Sequence, residues 1–484
     1  MILNYSTIMN LLKCPILFLI GLLCLSCNSS SSDEAPNIIL INVDDLGWRD
    51  VGFNGSRYYE TPNLDRLAEE SVRFTNAYAG AANCAPSRAC LISGQQTPRH
   101  GIYTVGNSDR GNTKTRKIIP TPNNTTLADE QLTLAEVLGI HGYTSTSIGK
   151  WHLGEDPRTQ GFDQNVGGTH AGHPKSYFSP YKNPNLSDGP EGEYLTDRIT
   201  DEALQFIEEN QEKPFFLYLP FFTIHTPLQG KEALVEKYKQ KPKLDGQGRN
   251  PHYAAMVEAM DASVGRILQR LDEYKLDDNT IVIFTSDNGG ISFQSRQHPL
   301  RAGKGSYYEG GIRVPLLIRW KAKMKEAWET DTPVTNLDFF PTILDLLDIE
   351  VPANKTLDGH SLAGLLLEKK ALERRPLIWH FPIYLQAYRV GGDESRDALF
   401  RTRPGSVIRL GEWKLHQYFE DDALELYHLG QDLGEQKNLA NERPEKVTEL
   451  LAILNQWRKD MQAPIPTDPN PEYEEGFTPP SKRK

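Results

Sequence analysis

Cysteine is scarce in this chain of 484 residues, which has only five. Three of them lie among the first 27 residues, so that Cys84 and Cys90 are the two that the rest of the chain retains. Two cysteines six positions apart on a short helical segment do not bring their sulfurs together well. The sequence therefore argues against a disulfide framework and predicts that Cys90 is a small core residue.

Positive charge is also in deficit. The chain has 53 Lys and Arg residues against 64 Asp and Glu residues, a formal net charge of -11. Proteins that bind nucleic acid carry a basic surface, so the charge balance argues against this class and we expect no nucleic-acid partner. An anionic substrate would have to be held by positive charge concentrated at one site.

A long apolar run occurs at the N-terminus, where residues 15–25 follow Lys13. This run is too short to span a bilayer with certainty and is typical of a cleaved export signal over residues 1–26. The polar segment 27–35 follows as a linker. We therefore expect an exported protein, located in a bacterial periplasm or anchored to the outer membrane.

Cys27 is the candidate anchor, because it follows the small residue Ser26 and precedes a solvated tract. This context is typical of a lipidated N-terminal cysteine in a bacterial lipoprotein. Cys24 stands where a leucine is usual, and ordinary signal cleavage near the same point remains the alternative.

Three apolar runs rich in β-branched or aromatic residues each lead to polar side chains. The run 36–43 ends in Asp44-Asp45, the run 280–285 ends in Ser286-Asp287-Asn288, and the run 214–219 leads toward His225. Buried parallel strands have this composition, and ligands bind at their carboxyl ends. We expect the three strand ends to converge on one site.

The order of the remaining patterns predicts the fold class. Helical patterns alternate with the strands over residues 63–71, 133–139, 195–210 and 253–274. The expected fold is α/β, a doubly wound, mixed and mostly parallel sheet.

The sequence also predicts a smaller C-terminal α+β domain with an antiparallel sheet. The patterns that indicate it are a hairpin at 406–410 and 413–418, a further strand at 425–429 and a helix at 444–461. The expected boundaries are 36–370 for the catalytic domain, 371–462 for the C-terminal domain and 463–484 for a loosely wrapped or disordered tail.

Asp44, Asp45, Asp287 and Asn288 are hard oxygen donors. Without a matching set of thiolates or imidazoles, such donors favour Ca²⁺, with Mg²⁺ as second choice, over zinc. Each pair taken alone is also ordinary turn chemistry. Their occurrence together with the next motif argues for a metal site.

That motif is the pentapeptide Cys84-Ala85-Pro86-Ser87-Arg88, which continues through Leu91-Ile92-Ser93-Gly94 and Thr97-Pro98-Arg99-His100-Gly101. It closely resembles the first signature of formylglycine-dependent sulfatases, in the alkaline phosphatase-like superfamily. The resemblance spans about residues 36–460, with the motifs in the family order. It implies that a maturation enzyme oxidises Cys84 to formylglycine, and that Pro86 lies in the first turn of a helix.

The resemblance also implies roles for several residues. A formylglycine hydrate at Cys84 has two hydroxyls on one carbon, of which one attacks sulfur as a metal ligand and the other later expels sulfate. Arg88 would support the hydrate and metal electrostatically. Lys150 and His152 match the family's Gly-Lys-x-His motif, and alternation after a short strand would point them to the same side. Lys150 would contact sulfate and His152 would take the proton of the second hydroxyl.

His225 and Lys304 match family positions at the leaving group. We expect His225 to act as general acid and Lys304 as sulfate ligand, although the two roles can be exchanged. His173, His298 and Arg301 are further candidates for substrate binding, and His170 and Arg296 lie near them in sequence; all are equally well explained as loop residues.

The combined prediction is an exported bacterial sulfatase that acts on sulfated carbohydrate, such as algal polysaccharide or host glycan fragments. An alternative is a phosphodiesterase or phosphonate monoester hydrolase of the same superfamily. Another is a glycan-binding protein that has the fold without turnover, which would have lost site residues, and none is lost here.

Overall fold

The computed structural model describes residues 34–243 and 250–479. The predicted export signal, Cys27 and the last residues of the tail lie outside the described part. Among the described residues, none of the helices combines the length and apolar character needed to cross a membrane.

The strands carry the labels β1 to β16 in chain order, within the described ranges. They are β1 Asn37–Val43, β2 Val72–Phe74, β3 Ala77–Tyr78, β4 Thr144–Ile148, β5 Gln164–Val166, β6 Phe215–Pro220, β7 Thr280–Ser286, β8 Leu316–Arg319, β9 Trp328–Thr330, β10 Val334–Thr335, β11 Leu377–Phe381, β12 Leu385–Gln386, β13 Phe400–Thr402, β14 Gly405–Leu410, β15 Trp413–Tyr418 and β16 Leu424–His428.

The α-helices of the described residues carry the labels α1 to α11. They are α1 Pro62–Ala68, α2 Cys84–Ser93, α3 Thr97–His100, α4 Leu134–Ile140, α5 Leu195–Glu209, α6 Glu232–Gln240, α7 Pro251–Glu273, α8 Glu309–Ile312, α9 Phe339–Leu346, α10 Ala363–Glu368 and α11 Pro444–Asp460.

The large sheet has the strand order β5-β4-β6-β1-β7-β8-β2-β9. Its strands run parallel except β8, which is antiparallel to both β7 and β2. The mixed, mostly parallel sheet that the sequence predicts is therefore confirmed. Short terminal differences, such as α1 ending at Ala68 instead of 71, are of the size expected at helix ends.

Side chains of the central strands alternate between two apolar layers. Ile39 and Ile41 of β1 pack in one layer with residues of α1, α5, α6 and α7. Ile38 and Leu40 pack in the other layer with residues of α2, α4, α9 and α10. Because both faces are covered, the strands are apolar throughout, which explains their continuous runs in the sequence.

The strand register brings the predicted polar residues to one edge. In β1 and β7, Val43 is paired with Ser286, so Asp44 and Asp287 leave the sheet side by side. The amide of Asp287 donates to the carbonyl of Val43 at 3.0 Å, and the amide of Asp44 donates to the carbonyl of Thr223 beyond β6 at 2.9 Å. The convergence of three strand ends is therefore observed.

A second, antiparallel sheet has the order β11-β14-β15-β16. Ile408 and Leu415 pack on one face against Leu450 and Leu454 of α11. The opposite face packs through Trp379 and other residues against the main body. This is the predicted antiparallel sheet with its closing helix, while the boundary at residue 370 stays a prediction.

The described part of the tail is not loose. The amide of Ile119 donates to the carbonyl of Asp468 at 2.8 Å, and the amide of Asn470 donates to the carbonyl of Lys117 at 2.9 Å. These backbone hydrogen bonds fix the tail along the segment 113–119, so within the described residues the expectation of disorder is wrong and that of a wrapping segment fits.

Candidate active site

Three buried carboxylates form the centre of the site. Oxygen atoms of Asp44, Asp45 and Asp287 lie within 4.8 Å of one another. Asn288 donates from Nδ2 to Oδ1 of Asp45 at 2.8 Å, whereas its own buried Oδ1 has no hydrogen-bond partner among the described residues. Three carboxylates and one unpartnered amide oxygen fit a hard divalent cation such as calcium.

Local backbone geometry assembles these donors. Asp45 has φ of 62°, a left-handed conformation that Asp adopts more readily than most residues. Its amide donates to Oδ1 of Asp287 at 3.2 Å. The loops that follow β1 and β7 are therefore joined at the candidate metal ligands themselves.

Each carboxylate has a cationic partner. Nζ of Lys150 lies 2.6 Å from Oδ2 of Asp44, and Nζ of Lys304 lies 2.6 Å from Oδ1 of Asp45. The third pair joins Arg88 to Asp287. Because the charges of the three pairs balance, a divalent cation would make the site positive and suited to an anion.

The pKa values of the two neighbouring carboxyls diverge. Burial raises the pKa of Asp44 well above its usual value despite the charge of Lys150. Burial also acts to raise the pKa of Asp45, but Lys304 and His225 outweigh it and hold that pKa below its usual range. Although burial opposes it, Asp45 holds the pKa of Lys304 well above its usual value.

Cys84 is the first residue of α2 and is buried beside the carboxylates. Its Sγ lies 3.6 Å from Oδ1 of Asp44. Burial opposes ionisation of the thiol, but the charges of Lys150 and Lys304 lower its pKa to about 6. The predicted helix is confirmed, and it presents Cys84 to the carboxylates. Cys84 and Cys90 are both free thiols, and Cys90 is buried as expected.

Arg88 lies one helical turn after Cys84, so both side chains are on the same face of α2. Its Nε donates to Oδ2 of Asp287 at 2.9 Å and its Nη1 donates to the carbonyl of Lys150 at 2.8 Å. Arg88 thus fixes both a candidate metal ligand and the backbone of the sulfate-binding candidate Lys150.

Lys150 and His152 are both buried, but the strand alternation expected for them does not extend to these residues. β4 ends at Ile148, and the following backbone turns at Gly149, whose φ is 126°. A Cβ there would lie 2.1 Å from the carbonyl oxygen of Pro220, so only glycine fits this close approach. His152 itself is left-handed, with φ of 67°.

The charges of the neighbouring cations affect the pKa of the His152 imidazole. Burial, and then the charges of Lys150, Arg88 and Lys304, lower its pKa well below the ordinary value. Its Nδ1 has no hydrogen-bond partner among the described residues. Burial and the neighbouring charges both favour the neutral form of this imidazole.

His225 reaches the same centre from the loop after β6. Its Nε2 lies 3.8 Å from Oδ2 of Asp45, and its Nδ1 lies 2.9 Å from the carbonyl oxygen of Thr226. The amide of Ile224 donates to the carbonyl of Asp44 at 2.6 Å, and the hydroxyl of Tyr177 donates to the carbonyl of His225 at 3.0 Å. The backbone on both sides of this histidine is fixed.

The loop that carries Lys304 packs directly on the loop that carries Asn288. The amide of Lys304 donates to the carbonyl of Gly290 at 3.0 Å, and the amide of Gly289 donates to the carbonyl of Gly311 at 3.0 Å. A Cβ at Gly289 would lie 1.9 Å from the carbonyl oxygen of Gly310. Glycine lets the two backbones meet, which brings Lys304 to Asp45.

The candidate substrate-binding residues lie at two different cavities. His173 is exposed and stacks on His225 with ring centroids 5.9 Å apart, at the edge of a cavity of about 300 Å³ that also includes His170. His298 and Arg296 line a separate, smaller cavity of about 190 Å³.

Arg301 lines that smaller cavity too, but its guanidinium is engaged by protein groups. Its Nε donates to the carbonyl of Glu394 at 2.9 Å, and its Nη1 donates to Tyr427 at 3.1 Å and to the carbonyl of Glu435 at 2.9 Å. Its role in substrate binding, like those of His173 and His298, stays a prediction.

Sequence patterns did not indicate two sets of residues that position the site. Arg401 donates from Nη1 to the carbonyl of Lys304 at 3.2 Å. In the second set, Lys414 lies 2.9 Å from Glu309 and 3.0 Å from Glu435, and all three side chains are fully buried. Both sets join the antiparallel part of the chain to the 301–313 region, and no local motif marks such contacts.

Comparisons with known proteins agree with this arrangement. Residues 36–349 match a family model described as Sulfatase, and residues 303–462 match one described as N-sulphoglucosamine sulphohydrolase, C-terminal. A sulfatase of Formosa agariphila is 33% identical, with 92% of this chain and 92% of that protein covered. Human N-acetylgalactosamine-6-sulfatase is 30% identical, with 91% and 88% covered. The crystal structure of Ps i-CgsB in complex with k-i-k-neocarrahexaose has a TM-score of 0.71 and 30% identity, with 89% of this chain and 94% of that chain covered.

Proposed function

The chain belongs to the sulfatase family, and from this premise we propose that it removes sulfate from carbohydrates by means of a formylglycine made from Cys84. As a member of the family it is a sulfuric ester hydrolase. The observation that carries the proposal is the position of Cys84, with Sγ 3.6 Å from Asp44, where carboxylates and cations converge. After conversion, an aldehyde hydrate would take the place of this thiol.

The proposed metal is calcium, with magnesium as second choice, held by Asp44, Asp45, Asp287 and Asn288 together with the group at position 84. Such a cation, when bound, favours the ionised nucleophile and neutralises charge on the sulfate. The ammonium groups of Lys150 and Lys304 contact two of these carboxylates and are placed to stabilise the sulfate oxygens.

The remaining residues move protons. In the first step an oxygen of the hydrate attacks sulfur, the bond from sulfur to the sugar oxygen breaks, and His225 donates a proton to that oxygen. In the second step His152 takes the proton of the other hydroxyl, the bond from carbon to the sulfate oxygen breaks, and the aldehyde forms again. Water then restores the hydrate. The lowered pKa of His152, caused first by burial, keeps its imidazole unprotonated, so that a ring nitrogen is available to accept the proton.

Two relatives support carbohydrate as the substrate class. One, at 30% identity, is named for a sulfated amino sugar, and another, also at 30%, was crystallised with a neocarrahexaose. We propose a sulfated oligosaccharide or polysaccharide as the substrate of this chain too. We further propose export to the periplasm or outer membrane, a lipid anchor at Cys27 and a maturation enzyme as partner.

The test is ion chromatography of sulfate and phosphate released from a panel of sulfated and phosphorylated saccharides. The protein is co-expressed with a maturation enzyme, and Cys84→Ala is the control. Sulfate from one class of sugar, absent in the control, is the expected result. Release of phosphate instead would favour the phosphodiesterase or phosphonate hydrolase alternative, and no release by converted protein would favour a glycan-binding role.

A further inference from the structure

A loop of the antiparallel region reaches the candidate site beside Lys304. We define the 387–393 loop as the first part of the connection between β12 and β13. It pairs with the second part, because the amide of Ala387 donates to the carbonyl of Leu399 at 2.8 Å and that of Gly391 to the carbonyl of Ala398 at 2.9 Å. The amide of Tyr388 donates to Asp393 at 2.6 Å, and the hydroxyl of Ser292 donates to the same carboxyl at 3.4 Å. The loop is thus fixed to the chain that follows Asn288.

Tyr388 is the aromatic residue of this loop and is 41% exposed. One face of its ring is covered by the guanidinium of Arg401, 3.5 Å from the ring centroid, and the ring of Phe293 meets it at 76° with centroids 5.6 Å apart. With both contacts in place, 41% of the residue is still exposed, so part of its surface is open to solvent. Since Arg401 also donates to the carbonyl of Lys304, a single side chain separates this aromatic surface from the proposed sulfate ligand.

Three guanidinium groups surround the surface without carboxylate partners. Among the described residues, Arg110, Arg389 and Arg401 form no ion pair within 4.0 Å, whereas the nearby Arg396 and Arg403 pair with acidic residues. Arg389 covers the ring of Phe293 at 4.3 Å. The segment that carries Arg110 lies against β12 and the residue before it, because the amide of Tyr384 donates to the carbonyl of Ser108 at 2.8 Å and a Cβ at Gly111 would lie 3.5 Å from the Cβ of Gln386. Nη1 of Arg110 donates to the carbonyl of Val105 at 3.1 Å.

Cations without carboxylate partners beside an exposed aromatic ring are suited to bind an anionic sugar. A sugar ring presents an apolar face that packs on an aromatic ring, and sulfate or carboxylate groups accept hydrogen bonds from guanidinium groups. In a chain with a net charge of -11, a group of unpaired arginines is also the kind of local positive charge that an anionic ligand requires.

We propose that Tyr388, Arg110 and Arg389 form a second subsite, which binds an anionic sugar next to the one that loses sulfate. Tyr388 packs on the face of this neighbouring sugar, and the two arginines bind its sulfate or carboxylate. The preferred substrate is therefore a saccharide with a further negative charge on the adjacent unit. This inference rests on the proposed function and specifies its substrate.

The test measures how saccharides inhibit hydrolysis of para-nitrophenyl sulfate by the converted enzyme. The probes are pairs of sulfated disaccharides of carrageenan and glycosaminoglycan type that differ by one sulfate or carboxylate on the second sugar. The variants are Tyr388→Ala, Arg110→Gln and Arg389→Gln, each compared by the ratio of its two inhibition constants. Ile140→Ala and Arg158→Gln, at exposed positions outside the site, are the matched controls.

In the wild type and the controls, the disaccharide with the additional charge should have an inhibition constant about tenfold lower than its partner in at least one pair. In each arginine variant this ratio should fall to about threefold or less. Tyr388→Ala should raise the inhibition constants of both members of that pair by a similar factor. Equal inhibition by both members of every pair in the wild type, or a full advantage retained in both arginine variants, would overturn the inference. If sulfate is still released from saccharides in that case, the proposed function stands without this subsite.

Discussion

Nζ of Lys304 lies 2.6 Å from Oδ1 of Asp45, although the two residues are 259 positions apart in the chain. The pair joins the proposed sulfate ligand to a proposed metal ligand, and both side chains are buried. An anion bound between the cation and the ammonium would contact both, so metal binding and substrate binding at this site are expected to be coupled.

Calcium should stabilise the folded protein. At a calcium concentration of about 100 times Kd, the expected gain in unfolding free energy is about 2.7 kcal/mol, because the carboxylates converge only in the folded state. Thermal unfolding of chelator-treated protein, with and without calcium, measures this gain. Asn288→Ala, which removes the unpartnered amide oxygen, should require a higher calcium concentration for the same effect. A melting temperature that calcium leaves unchanged would contradict the proposed site.

Replacement of His225 should affect substrates according to their leaving group. His225→Asn should lower kcat/KM by about 100-fold or more on a sugar sulfate, whose leaving oxygen needs a proton. On para-nitrophenyl sulfate, whose leaving group is stable as an anion, the loss should be about tenfold or less. Steady-state kinetics on both substrates decides this point. Equal losses would assign the proton to another group, and Lys304→Met, tested in parallel, would show whether Lys304 is that group.

Lys414 should be essential for stability rather than for chemistry. It is fully buried between Glu309 and Glu435, so Lys414→Met removes the ammonium that two buried carboxylates share. The expected cost is about 3–5 kcal/mol in the free energy of unfolding, measured with urea. Lys239→Met removes an exposed pair with Glu236 and should leave the free energy of unfolding nearly unchanged, because solvent screens such a pair. Similar costs for the two variants would contradict this account of the buried network.

Lys355 should make stability depend on pH. Its ammonium is buried over the ring of Phe340, with no hydrogen-bond partner among the described residues, and burial lowers its pKa from 10.5 to about 8. Between these values the unfolded chain binds more protons than the folded chain, so this residue makes stability increase with pH from 8 to 10.5. Below pH 8 the ammonium destabilises the fold.

Lys355→Met should therefore stabilise the protein at pH 7 by about 2 kcal/mol and remove this part of the pH dependence. Urea unfolding at several pH values gives the difference between variant and wild type. Lys325→Met, at an exposed position, is the control and should leave the profile unchanged. A variant that is less stable than the wild type at pH 7 would show that the ammonium contributes favourably.

Local sequence patterns were sufficient to predict the strand ends and the helix that begins at Cys84. The runs before Asp44 and Asp287 are apolar because both faces of those strands are covered, and this property is visible in sequence. The position of His152 was anticipated from a motif, but its left-handed backbone was not. That conformation depends on the loop after β4, for which strand alternation gives no information.

The contacts that sequence reasoning missed join distant segments. Arg401 reaches the carbonyl of Lys304 across 97 positions, and Lys414 reaches Glu309 across 105. Arg401 and Lys414 do not belong to any motif that would mark a site. Their partners are determined by the packing of the antiparallel sheet on the main body. Such contacts become visible only when the tertiary structure is known.

The central claim is that the nucleophile derives from Cys84. Its most direct test is mass spectrometry of the peptide that contains Cys84, on preparations made with different amounts of maturation enzyme, together with the rate of sulfate release from the same preparations. The account predicts a rate that is proportional to the fraction of Cys84 converted to the aldehyde, with no activity at zero conversion. Full activity in protein whose Cys84 is an unmodified thiol would contradict it.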